Sequence, residues 1–135
     1  VIDQEIAVET DRVAVAATMA AERALGRIPE EQVHNNPGYD ILSIDPVTNT
    51  SYFIEVKGHR PATEEIKVRA RQIRMAKMNP ERFRLVVVSV PDDAVHQPSR
   101  VRYLVRPFDD YEPHFAQTYV PLSVEVLLQQ SVDPI

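Results

Sequence analysis

Apolar positions between residues 3 and 25 recur at helical spacing: Ile6, Val13, Ala14, Ala17, Ala20, Ala21, Ala24 and Leu25. The stretch is rich in alanine, and Gly26 gives it a natural stop, so a long first helix is predicted. Residues 27–37, polar with two prolines and two asparagines, read as a loop. Alternation then takes over. Residues 38–44 and 51–57 are strand-like, and the turn formers Asp45-Pro46-Val47-Thr48-Asn49-Thr50 between them predict a hairpin. Its register sets Ile44 opposite Ser51, Leu42 opposite Phe53 and Asp40 opposite Glu55. After the break at 58–63, Thr63 is placed to cap a helix with Glu64 and Glu65 in its first turn, running to about Met78. Ile66, Ala70, Ile73 and Ala76 or Lys77 would form its buried stripe, with Lys67, Arg71 and Arg74 on another face. Asn79-Pro80 ends it. The continuous apolar run 85–90 predicts a central strand covered on both faces. Strand, helix, buried strand implies parallel pairing through a right-handed crossover. Residues 100–106 alternate again and predict a strand nearer an edge, after which prolines punctuate short pieces with one helix at 121–130.

A chain of 135 residues fits one domain, and 44% hydrophobic with 26% charged residues is ordinary globular composition. Its valine start leads to the expectation of a piece, the carboxy-terminal one, of a larger protein. Without cysteine there are no disulfides, thiolate metal sites or cysteine nucleophiles, so any metal must use oxygen or imidazole ligands. No apolar run approaches the ~18 residues of a membrane span, and an intracellular setting, the cytoplasm of a prokaryote, is expected. Net charge is −5, which argues against a generic nucleic-acid coat. The distribution is uneven, however: residues 57–84 hold nine Lys or Arg against three acids, a local +6, leaving −11 for the rest. Such a basic segment following a carboxylate pair suits a polyanion approaching one face; a solvated helix face is the plainer alternative.

The hairpin makes Asp40 and Glu55 cross-strand neighbours, with Cβ atoms about 5 Å apart. Like charges so placed are destabilising unless a positive group lies between them, and a divalent cation is the simplest candidate. Lys57 and Phe53 share the face of Glu55 because side chains alternate along a strand. Glu22 stands in the last turn of the first helix, the unfavourable end of the helix dipole for an acid. Each acid alone is more commonly a surface or turn residue; as a pair followed by Lys57 they point to metal-dependent phosphodiester chemistry. The four histidines lie in loops without metal-ligand spacing, although His59 and Arg60 could touch phosphate.

The motif Pro37-Gly38-Tyr39-Asp40-Ile41 with Ile54-Glu55-Val56-Lys57-Gly58, preceded by a helix bearing Glu22, resembles the PD-(D/E)XK nuclease superfamily. More narrowly it is similar to the DUF3883, or NO VEIN carboxy-terminal, domains over about residues 10–90. The resemblance implies an α/β fold with a restriction-endonuclease-like core: a mixed central β-sheet flanked by helices in the order α-β-β-β-α-β. It also implies that Asp40, Glu55 and the Val56 carbonyl bind Mg²⁺ or Mn²⁺, and that Lys57 positions or activates the attacking water. Glu22 would be a helix-borne acid and Gln72 would stand where the family tends to show another acid. Lys67, Arg71 and Arg74, with His59 and Arg60, would meet nucleic acid. The implied protein is a Mg²⁺-dependent deoxyribonuclease domain, a module of a helicase-like ATPase or of a defence or repair protein, with DNA and other domains of its parent as partners. Homodimers are common among nucleases of this fold, but no heptad or apolar stripe commits this chain to one. The alternative is a noncatalytic module of the same fold that binds nucleic acid or protein.

Overall fold

The structure, a computed structural model, describes residues 3–33, 38–114 and 116–135. Helix α1 (Asp3–Ala24) matches the predicted first helix. Strands β1 (Ile28–Glu31), β2 (Ile41–Asp45), β3 (Thr50–His59), β5 (Phe83–Ser89) and β6 (Arg100–Val105) form one sheet in the order β1-β2-β3-β5-β6. Only the β3–β5 pair is parallel, so the sheet is mixed. Between these two strands run β4 (Glu65–Arg69) and helix α2 (Ala70–Met78). Strand β7 (Tyr119–Ser123) pairs antiparallel with β4 in a separate two-stranded sheet and leads into α3 (Val124–Gln130). The fold is α/β, a five-stranded mixed sheet flanked by helices.

Each side chain's face follows from strand alternation. Ile54, Val86, Val88 and Tyr103 point to one side of the sheet and pack with Ala14 of α1. Phe83, Leu85, Val87 and Leu104 point to the other and pack with Ile73 and Ala76 of α2, Ile66 and Val68 of β4, and Val124 and Leu127 of α3. The β2–β3 hairpin has the predicted register, Ile44 against Ser51 and Leu42 against Phe53. Strand β5 is central and parallel to β3, as its apolar run requires. β6 is one edge strand, and Val132 covers part of that edge by exchanging backbone hydrogen bonds with Tyr103 at 2.9 and 2.8 Å.

Two segments differ from expectation. Residues 28–31, expected to be loop, form edge strand β1 against β2. This strand is short and mostly exposed and carries Pro29, all features an edge position tolerates, so no hydrophobic alternation announces it. Residues 34–37, including Pro37 of the motif, lie outside the described residues. The helix expected from Thr63 begins instead at Ala70. Glu65-Ile66-Lys67-Val68-Arg69 alternates with period two, burying Ile66 and Val68 and exposing the three charged residues, and pairing with β7 makes that strand worthwhile. Lys67 therefore does not share a helical face with Arg71 and Arg74. The expected helix at 121–130 likewise yields its first three residues to β7.

Gly58 is where α1 meets β3 most closely: a Cβ there would lie 2.7 Å from Ala14 Cβ and 3.1 Å from Thr10 O. Both obstacles sit on a packed helix, so neither can swing away. Gly58→Ala is expected to destabilise the domain by about 1–3 kcal/mol through overpacking, read as a lower urea midpoint at unchanged m-value.

Candidate functional site

Four of the predicted residues converge on the α2 face of the sheet. Asp40 precedes β2, and its N–H donates to Ile54 O at 2.8 Å while its Oδ2 accepts from the Val56 N–H at 2.8 Å. These bonds seat Asp40 across from Glu55, as the hairpin register predicted. Lys57, two residues on, reaches back to Glu55 Oε2 at 3.3 Å. Gln72, from the first turn of α2, donates from its amide nitrogen to the same Oε2. Its amide oxygen accepts the Arg69 N–H at 2.9 Å, which fastens the start of α2 to the end of β4. Gly38, in the loop before Asp40, lies against the Met75 side chain, whose Cγ would be 3.3 Å from an added Cβ.

Glu55 is only 2% exposed, and its Oε1 is a buried oxygen with no hydrogen-bond donor. Burial, then the adjacent Asp40 carboxyl, push its pKa well above the usual carboxylate range, and Lys57 only partly offsets them. Two close carboxyls can relieve this in two ways: share a proton, or hold a cation. The free oxygen and the hard, all-oxygen donor set of Asp40 and Glu55 fit a small divalent cation such as Mg²⁺, which is commonly bound through one or two carboxylates. Among the described residues there is no group of three or more Asp, Glu or His side chains that could hold a metal.

Glu22 does not join them. It is fully buried, but on the α1 side of the sheet, where its carboxylate accepts from the Tyr103 hydroxyl at 2.5 Å and from Arg27 Nη1 at 3.2 Å. The guanidinium of Arg27 lies 3.8 Å from the Tyr52 ring centroid, with Arg84 at 5.0 Å. Burial and the neighbouring Glu22 carboxylate hold the Tyr103 hydroxyl well above its ordinary pKa, so it stays protonated and donates. The acid at the end of α1 is thus a structural acid with its own cation and donor, and it cannot reach a metal on the opposite face.

His59 and Arg60, expected at phosphate, are also absorbed by the fold. The buried His59 ring contacts Ser89 Oγ at 2.9 Å and Arg60 O at 3.2 Å. Arg60 donates to Thr10 Oγ1 at 2.7 Å and to Pro91 O at 3.1 Å and pairs with Glu9, tying α1 to the loop after β5. Lys67, Arg71 and Arg74 are exposed. The residues that sequence patterning passed over are Arg69 and Tyr119, which face each other across the β4–β7 pair. The five-residue alternation from Glu65 was the signal for that strand.

Because the folded protein binds a proton at Glu55 more tightly than the unfolded chain does, the stability this confers is complete below the ordinary value of 4.5. It is lost as pH rises from there through the raised folded-state pKa. Metal-free protein is therefore expected to lose thermal stability across that window. Glu55→Gln should flatten the slope and stabilise the protein at neutral pH by about 1–3 kcal/mol, the cost of a buried acceptor left unmatched. A separate test isolates the other face. Tyr103→Phe is expected to cost about 1–3 kcal/mol by removing the donor to buried Glu22, while leaving any ligand affinity at Asp40 and Glu55 unchanged in calorimetric titration.

No curated protein matches the chain. A family model described as Protein NO VEIN, C-terminal, matches residues 10–104, which runs from within α1 through the body of β6 and includes Asp40, Glu55, Lys57 and Gln72. The chain belongs to the NO VEIN C-terminal domain family.

Proposed function

We propose that this domain is a divalent-metal-dependent phosphodiester hydrolase of the PD-(D/E)XK type, acting on DNA as a module of a larger protein such as a helicase-like ATPase. The observation that carries the reading is the donor-less Glu55 Oε1, buried beside Asp40 on the strand that also presents Lys57. Asp40 and Glu55 would hold Mg²⁺ or Mn²⁺ with the Val56 carbonyl as a further oxygen ligand. The metal supplies a bound water of lowered pKa and offsets negative charge on the phosphoryl group. Lys57, anchored on Glu55 yet partly open to solvent, places an ammonium where that charge grows. Gln72 keeps Glu55 in one rotamer by donating to Oε2, which leaves Oε1 as the oxygen available for coordination. Glu22 takes no part.

The second reading is a noncatalytic module of the same fold that binds nucleic acid or a protein partner. It is favoured by the absence of a third acid from the pair, since Glu22 is engaged elsewhere and Gln72 is neutral. One set of samples separates the two. Calorimetric titration of Mn²⁺ and Mg²⁺ is expected to give binding that Asp40→Asn weakens by about 10- to 100-fold. Plasmid nicking by the same samples should fall with it, and Lys57→Met should lower the nicking rate about 10²–10³-fold with metal affinity retained. Metal binding without nicking would favour the noncatalytic module or dependence on other domains. No metal binding at all would remove the hydrolase reading.

A further inference from the structure

The cations of this protein divide into two classes. Arg60, Lys77, Arg102 and Arg106 are each paired to an acid. Among the described residues, Arg12, Arg23, Arg82, Arg84 and Arg100 have no ion-pair partner but are scattered, whereas Lys67, Arg69, Arg71 and Arg74, also without one, follow one another along β4 and the first turns of α2. A cation already paired within the protein has little to give a polyanion, whereas these four are free to release counterions from one. Lys67 and Arg69 stand on the exposed face of β4, and the β4–β7 register sets Tyr119 directly opposite Arg69. Tyr119 is 48% exposed, with Lys67 Nζ 6.0 Å and the Arg69 guanidinium 5.9 Å from its ring centroid. Those distances lie at the outer limit of a cation–π contact, so the ring is flanked by charge while remaining accessible.

We infer that the outer face of the β4–β7 sheet is a binding platform for an unpaired stretch of nucleic acid, with Tyr119 stacking a base and Lys67, Arg69, Arg71 and Arg74 contacting the flanking phosphates. An aromatic face between backbone-reading cations is the arrangement that single strands require, because their bases are free to leave a stack and a duplex hides them. The Arg69 backbone N–H is bonded to Gln72, and Gln72 is bonded to Glu55, so the end of β4 is tied to the acid pair through one side chain, although Lys67 and Arg69 stand on the face of β4 opposite its core residues Ile66 and Val68. The inference rests on the nucleic-acid reading above and gives it a substrate class, single-stranded or frayed nucleic acid.

Fluorescence anisotropy in EDTA tests it apart from cleavage. The probes are a labelled single strand of about 12 nucleotides, its duplex, and an abasic strand of equal length. The single strand is expected to bind about tenfold tighter than either of the others. Tyr119→Ala should weaken it about tenfold while Tyr119→Phe does not, and Lys67→Glu with Arg69→Glu should weaken every probe and flatten the salt dependence. Circular dichroism melts verify that the surface variants fold. Equal binding of the abasic strand, indifference to Tyr119→Ala, no binding of any strand, or displacement by polyglutamate as readily as by the strand would each overturn the platform. Binding that follows the expected pattern in a protein that nicks nothing upholds the platform and removes only the hydrolytic reading.

Discussion

Desolvating Glu55 on the central strand of the sheet is the constraint to which its surroundings answer. Strand β3 pairs with β5 over seven residues and both faces of the pair are covered, so a carboxylate there has almost no water to solvate it. Its neighbours supply partial compensation: Lys57 from the same strand and Gln72 from the helix packed above both address Oε2. Asp40 works in the other direction, adding a second negative group across the hairpin. A fold selected for stability alone would have little use for that pair. A proton shared with Asp40 relieves the arrangement, as would the cation proposed above.

Glu22 is the informative contrast. It is buried at least as deeply, yet it has the Arg27 guanidinium and the Tyr103 hydroxyl for its oxygens, and the Tyr52 ring packs against that guanidinium. Both Arg27 and Arg84 also donate to Ile135 O, at 3.2 and 3.0 Å, so this cluster ties Ile135 to the α1 face. One buried acid is therefore fully matched and holds elements together, while the other is under-matched and faces the helix that carries Gln72. Burial by itself does not separate these two acids; the inventory of donors around each oxygen does.

The same inventory organises the surface. Acidic loops take up several of the cations: Glu112 meets Lys77, Asp133 meets Arg102, and Asp109 and Glu81 meet Arg106. Of the cations without an ion pair among the described residues, Lys67, Arg69, Arg71 and Arg74 stand close together in sequence on β4 and the first turns of α2. A chain with net charge −5 thus carries a local run of positive charge.

The parts of this protein that were legible in the sequence are those governed by local periodicity. The β2–β3 register follows from alternation and a turn, and with it the meeting of Asp40, Glu55 and Lys57; the apolar run of β5 announces a strand buried on both faces. Gln72 was placed near the pair only through a family resemblance, and its helix proved to begin six residues later than Glu64, the start its sequence signals suggested. The remaining features depend on partners distant in sequence. Strand β4 exists because β7, some fifty residues on, supplies its hydrogen bonds. β1 exists because β2 offers an edge. His59 and Arg60 became structural when Ser89, Thr10 and Pro91 arrived beside them. Sequence by itself determined which residues alternate or recur, and hence the faces they share. Tertiary structure alone decided which buried polar atoms would find a partner, since those donors and acceptors are brought together only by packing. That decision gave Glu22 its partners and left one oxygen of Glu55 open.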